Sequence, residues 1–300
     1  MSTESGLKSL FEGLLTPRQF IEVATVQFEV AGLFYGHGTE RAVDEAVFIV
    51  ASVIGSDVLD DKVVDSAVSN QEHENIVAIL VQRIIARKPA AYLLNEAWFA
   101  GLKFFVNEDV LIPRSPIAEL IERQLVPWVE PEQVHSILDL GTGSGCIAIA
   151  AAIYFRNSRV LATDVSESAL MVARRNIGTH QLGARVQTRN SDLFENVSGR
   201  YDIIFTNPPY VDAPALAKMP KEYEHEPILA LSGGEDGLLY VRKIIQRAKT
   251  FLSSTGVLVL EVGASRVNFL EAFKSLSFVE LDLVYGGEGV FLIEARYLPN

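Results

Sequence analysis

The run Ile137-Leu138-Asp139-Leu140-Gly141-Thr142-Gly143-Ser144-Gly145 constrains the fold more than any other stretch of the chain. An apolar strand pattern passes straight into a glycine-rich turn, and Cys146–Tyr154 then reads as a helix. The same alternation continues downstream. Arg159–Thr163 reads as a strand and Glu167–Asn176 as a helix. Strands near 185–190 and 201–206, a helix near 238–252 and a strand at Val257–Val262 follow. Continuous apolar strands separated by helices predict an α/β domain with a mostly parallel sheet covered on both faces. Two closing strands near 278–284 and 289–295, joined through Gly286-Gly287, are expected to pair antiparallel.

Residues 1–90 follow another pattern. Thr16-Pro17-Arg18-Gln19 has a cap residue, a proline at the first helical position and a glutamine reaching back, which predicts a capping box. Phe20, Val23, Ala24, Gln27, Phe28, Ala31 and Phe34 then recur near helical spacing, with Gly36 and Gly38 ending the run. Thr39 opens a second helix, which carries Ala42, Val43, Ala46, Val47 and Val50 and stops near Gly55. A third bears Ile76, Ile79, Leu80, Arg83 and Ile84 and ends at Arg87-Lys88-Pro89. Residues 1–90 are thus expected to form a small all-helical domain. Residues 91–115 read as a β-hairpin linker, with Trp98–Val106 extended, a turn at Asn107-Glu108-Asp109 and Val110-Leu111-Ile112 extended again. Residues 116–300 are expected to form the α/β domain, entered by a helix that Ser115-Pro116 would cap and that would run through Trp128.

Composition narrows the function classes. The chain has 300 residues and a formal net charge of −12. Residues 1–90 hold 7 Lys plus Arg against 13 Asp plus Glu. No basic module stands out, which argues against strong direct nucleic-acid binding, since that affinity rests on Lys and Arg at phosphates. The acidity suits a basic protein partner, and equally suits mere solubility. No apolar run is long enough for a membrane span, no signal peptide is evident, and a cytoplasmic location is the expectation. One cysteine and five scattered histidines predict neither an intramolecular disulfide nor a metal site. Cys146 reads as a small packing residue and His225 as structural.

The glycine loop Gly141, Thr142, Gly143, Ser144 and Gly145 stands where open α/β sheets bind ligands, at the carboxyl end of the first strand. A dinucleotide fingerprint would want its third glycine where Cys146 stands. The second strand ends in Asp164, whose carboxylate can accept both hydroxyls of a ribose; its alternative use is to cap the helix that follows. Asn190-Ser191-Asp192-Leu193 follows the third strand. There Asp192 can accept from an adenine amino group with Leu193 against the ring, although Asn-Ser-Asp is also ordinary turn chemistry. Asp139 is either a polar anchor near the cofactor or a turn residue. Together these residues indicate an adenosine cofactor.

The strand Asp202–Thr206 ends in Asn207-Pro208-Pro209-Tyr210. Two adjacent prolines fix φ and remove two N–H donors. The Asn207 side-chain oxygen and the Pro208 carbonyl can therefore accept both hydrogens of a planar –NH2 group, while Tyr210 stacks on the flat group bearing it. Such a corner suits methyl transfer to a poor nucleophile, where positioning does most of the work. No general base stands out.

At these residues the chain resembles the class I methyltransferases that modify planar amino groups, and among them the protein-glutamine methyltransferases. The likeness rests on Phe99-x-Gly101-Leu102, Val110-Leu111-Ile112-Pro113-Arg114, the glycine loop, Asn207-Pro208-Pro209-Tyr210, and Glu226-Pro227-x-x-Ala230-Leu231-x-Gly233-Gly234-x-Asp236-Gly237-Leu238. It implies a Rossmann-like seven-stranded, mostly parallel sheet with an antiparallel C-terminal hairpin, S-adenosyl-L-methionine as cofactor, and N-terminal helices that help choose the protein substrate. It also implies that Arg114 and Glu119 lie near the active-site mouth; their plain alternative is a surface pair at a helix start. Pro113-Arg114-Ser115-Pro116 resembles the branch acting on the third protein of the large ribosomal subunit more than the release-factor branch. The release-factor branch, an adenine or guanine amino methyltransferase and an inactive cofactor-binding scaffold are the competing readings.

Overall fold

Strands β1 (Ala97–Phe99) and β2 (Leu102–Phe104) form a small antiparallel sheet. The strands β3 (Ser136–Leu140), β4 (Arg159–Asp164), β5 (Val186–Asn190), β6 (Tyr201–Thr206), β7 (Leu252–Glu261), β8 (Val279–Glu280) and β9 (Val290–Glu294) form the main one. Its order is β5-β4-β3-β6-β7-β9-β8 in this computed structural model, which describes residues 4–284 and 286–300. The pairs from β5 to β7 are parallel, and β9 runs antiparallel to both β7 and β8. This is the class I methyltransferase sheet.

The helices are α1 (Glu4–Leu10), α2 (Pro17–Val30), α3 (Ala42–Ile54), α4 (Asp61–Val64), α5 (Asn70–Ala86), α6 (Ala90–Leu94), α7 (Ile117–Glu122), α8 (Cys146–Tyr154), α9 (Glu167–Thr179), α10 (Ala213–Leu216), α11 (Leu239–Phe251) and α12 (Arg266–Ala272). Alternation along the strands divides the sheet's apolar side chains between two layers. Ile137, Val160, Ile203, Phe205, Val257 and Leu292 pack with α7 and α8. Leu138, Leu140, Ile204, Leu258, Leu260 and Phe291 pack with α11 and with Phe269 of α12. Helix α8 is buried from Cys146 to Ala152. Its alanines have no long side chain to hold it off the sheet. No helix among the described residues is long and apolar enough to cross a membrane.

The chain divides into two compact units. One holds the chain up to Glu96 together with Pro220–His225, and the other holds Ala97–Met219 and Glu226–Asn300. In the helical unit the Thr16 capping box is formed in full, and Pro17, Phe20, Ala24 and Phe28 are the buried stripe of α2. That helix stops at Val30, before the expected glycines. Gly32 at φ +56 lets Leu33 donate back to the Phe28 carbonyl at 3.2 Å, so Phe34 lies beyond the helix. Helix α3 begins at Ala42, not after Thr39.

Two further expectations are corrected. The hairpin turn lies at Ala100-Gly101, inside the expected first strand, because both residues take left-handed φ values of +49 and +69. Val110-Leu111-Ile112 consequently forms no strand. The helix after Pro116 ends at Glu122 and does not reach Trp128, since Gln124 and Leu125 are left-handed, a conformation a right-handed helix cannot propagate through.

Candidate active site

The main sheet runs outward from β3 to β4 and β5, then returns to place β6 on the other side of β3. Leu140 and Thr206 are register partners, so the glycine loop after β3 and the proline corner after β6 leave the sheet side by side. This is the topological switch point, where open α/β sheets leave a crevice at their carboxyl ends. A cavity opens there. Gly141, Thr142, Gly143, Ser144, Asp164, Asp192, Leu193, Asn207, Pro208 and Pro209 all line it.

The loop is held by its own amides. Gly141 and Thr142 donate to the Thr163 carbonyl at 2.9 and 2.8 Å, and Gly145 donates to the Thr142 carbonyl at 2.9 Å. Gly143 donates to Asp164 Oδ2 at 2.9 Å, while Ser166 donates to Asp164 Oδ1 at 2.9 Å. Asp164 thus holds the turn before α9, whose cap is Ser166, and also lines the cavity. Burial raises its pKa. At Gly141 and Gly143, a Cβ would meet nothing within 4 Å. Gly145 differs: it does not line the cavity, and its Cβ would lie 3.2 Å from that of Ala173 in α9. Its bareness serves helix packing.

Asp139 lies beneath the loop, fully buried. Its Oδ2 accepts from Thr142 Oγ1 at 2.6 Å and from the Ala148 amide at 3.1 Å. Its Oδ1 has no partner among the described residues. Burial pushes its pKa up to about 7. Cys146 is likewise buried, and its thiol is pushed up to about 12, which suits packing and not nucleophilic chemistry.

Among the described residues, no donor reaches the Asn207 side chain or the Pro208 carbonyl. Both belong to a corner that two prolines stiffen. Tyr210 does not line the cavity; its ring lies against Gly263 and its Oη donates to Glu261 Oε1 at 3.1 Å.

A further part of the cavity wall comes from two stretches far apart in the chain. Arg114 grips Glu226 with Nη1 and Nη2 of its guanidinium, at 2.6 and 2.8 Å, and the Ile112 amide donates to the same carboxylate at 3.1 Å. Asp109–Ser115 and Pro227, Leu229 and Ala230 line the cavity around this pair.

Residues 122–220 match the family described as Methyltransferase small domain. The chain is 41% identical to a ribosomal protein uL3 glutamine methyltransferase of Francisella tularensis over 98% of its length and 94% of the relative's. It is 43% identical to one so named from Bordetella pertussis, over 95% and 97%. A third, from Neisseria gonorrhoeae, is 43% identical over 95% and 96%. The chain belongs to the ribosomal protein uL3 glutamine methyltransferase family.

Within this family's framework, Arg114 stands on the cavity wall but Glu119 does not. Glu119 is buried, accepts from the Val284 amide at 3.0 Å and pairs with Arg123 at 2.9 Å. It fixes α7. Three residues escaped sequence reasoning as parts of the site: Glu226, Ser115 and Glu261. Ser115 read only as a helix cap, and its Oγ does accept from the Ile117 amide at 3.2 Å. For Glu261 a signal existed: a single acid closing the apolar run of β7 at a strand's carboxyl end.

Proposed function

We propose that this chain transfers a methyl group from S-adenosyl-L-methionine to the side-chain amide nitrogen of a glutamine in a large-subunit ribosomal protein. The observation carrying this reading is the corner of Asn207 and Pro208. It offers two acceptors with no donor of their own, on a cavity wall beside the glycine loop. A planar amide presents two hydrogens and needs two such acceptors. With both hydrogens held, the nitrogen can become tetrahedral and direct its lone pair. The proton it loses becomes acidic only after transfer, so the methyl transfer itself needs no general base.

The loop fits a cofactor of this type better than a dinucleotide. A pyrophosphate needs free amides at the loop and helix start, whereas here four loop amides are spent within the protein. We assign the cofactor's surroundings to Gly141, Thr142, Gly143 and Ser144, its ribose to Asp164, and its adenine to Asp192 and Leu193. Asp139, with its orphaned oxygen under the loop, is the polar anchor nearby. When bound, the cofactor supplies a methyl group on a positively charged sulfur. Asn207, Pro208 and Pro209 form the catalytic corner, and Tyr210, whose ring lies against Gly263 outside the cavity, braces it instead of stacking on the substrate.

The substrate follows the names of the relatives, and Ser115 in Pro113-Arg114-Ser115-Pro116 agrees with it. The test is incubation of the protein with labelled cofactor and a lysate of cells lacking it. Label in a large-subunit ribosomal protein is expected, with Asn207→Ala slowing transfer by about 10²–10³-fold. Label in release factors would move the protein to the sister branch, and label only in nucleic acid would reject the reading.

A further inference from the structure

We infer that Glu261 is a positioning residue: held by Ser115, it fixes Tyr210 and thereby stiffens the corner that presents Asn207 and Pro208. The inference rests on the corner being the site of methyl transfer. Glu261 ends β7, in a strand otherwise apolar over its second half, and is 3% exposed. Both carboxylate oxygens are engaged by hydroxyls. Ser115 Oγ donates to Oε2 at 2.5 Å and Tyr210 Oη to Oε1 at 3.1 Å. The same stretch of chain holds Tyr210 at two more points. A Cβ on Gly263 would come within 2.5 Å of the Tyr210 ring, so the ring lies on bare backbone there. Ser265 Oγ donates to the Tyr210 carbonyl at 2.6 Å. Hydroxyl, ring and carbonyl of one tyrosine are all seized by residues 261–265.

Burying a carboxylate is costly because it gives up hydration, and a glutamine of equal shape would avoid that cost. What the carboxylate alone provides is acceptor-only chemistry, which obliges both hydroxyls to donate to it and so fixes their directions. The groups facing it are Ser115 and Arg114 from the segment before α7 and Tyr210 from the segment after β6. Val290, opposite in β9, is apolar. Arg114 is already held by Glu226. Burial raises Glu261 to about 6, against the opposing pull of the Ser115 and Tyr210 hydroxyls and Arg114. Below that pH the protonated carboxyl becomes a donor, and one hydroxyl must turn away.

The experiment uses the full-length protein, labelled S-adenosyl-L-methionine and the purified ribosomal protein it labels. For Glu261→Gln, kcat should fall by about 10²-fold, with cofactor affinity and KM for the protein substrate little changed. The wild-type fall in kcat as pH drops through about 6 should vanish in this variant. Ser115→Ala should move that fall to higher pH, because the ionised form loses a donor. Glu261→Asp should recover part of the rate. Combining Glu261→Gln with Tyr210→Phe should cost no more than the worse single change. A kcat for Glu261→Gln within about twofold of wild type, an acidic limb retained in it, or fully additive losses would overturn the inference. If Glu261→Gln does not fold, the direction of the Ser115→Ala shift decides. Retained activity in Asn207→Ala would instead reject the corner itself.

Discussion

At the residue scale, Asp139 shows how one buried atom links stability to pH. Its unfolded pKa lies near 3.9, and burial in the folded protein lifts it to about 7. Between these values the native state holds a proton that the unfolded state has lost. The stabilisation is present in full below the unfolded value and is lost as pH rises through the folded one. Asp139→Asn removes this titration. The stability of the variant relative to wild type should therefore rise by about 1.4 kcal/mol per pH unit between pH 5 and pH 7. Urea unfolding of the unliganded proteins at both pH values checks it, and a flat difference would refute the burial account. The sequence showed Asp139 as an acid before a glycine loop; that one oxygen finds no partner depends on Thr142 and Ala148 folding over the other.

At the scale of elements, the glycine loop does two jobs. Gly145 at φ +83 lets α8 pack on α9, whereas Gly143 at φ +53 leaves open space on the cavity side. Gly145→Ala should destabilise the protein by about 1–3 kcal/mol, from left-handed strain and overpacking against Ala173. Gly143→Ala should cost less stability but weaken cofactor binding. Thermal melts and cofactor titration of both variants separate the two roles, and equal effects on both readouts would contradict them. The order of strands and helices could be read from the sequence because period and capping are local. Boundaries set by left-handed non-glycine residues, such as Ala100, Gln124 and Leu125, could not, since nothing in their side chains demands that conformation.

Across the whole molecule, the helical unit is completed by a short return of the chain. Arg83 is wholly buried, with Nε on Glu45 Oε1 at 2.5 Å, Nη2 on the Phe34 carbonyl at 2.9 Å and Nη1 3.5 Å from Glu222. Arg87 also pairs with Glu222, at 2.8 Å. Burial pushes both carboxyls up. Glu222 nevertheless ends below its usual value, because the Phe34 amide and two guanidiniums hold it, while Glu45, on Arg83 with weaker help from Thr39 and His37, ends above. Arg83→Met should destabilise the protein by about 3–5 kcal/mol, since it leaves the buried Glu45 without its guanidinium and Glu222 with Arg87 alone. Unfolding at neutral pH measures this, and a loss near zero would mean that the cluster contributes no net stability. Arg83 read as part of an apolar helix face, and its partner Glu222 lies 139 residues away.

By itself the sequence determined the parallel α/β plan, the capped helices, the glycine loop and the two-proline corner. Each of these rests on a restriction of φ, a missing donor or a periodicity confined to a few neighbouring residues. Only the tertiary structure decided that Arg114 meets Glu226, 112 residues on, and that Ser115 and Tyr210 share Glu261. It also decided that Tyr210 turns to Gly263 instead of lining the cavity. Such pairings join residues whose separation along the chain carries no pattern, and they form only when the switch point of the sheet brings the loops together.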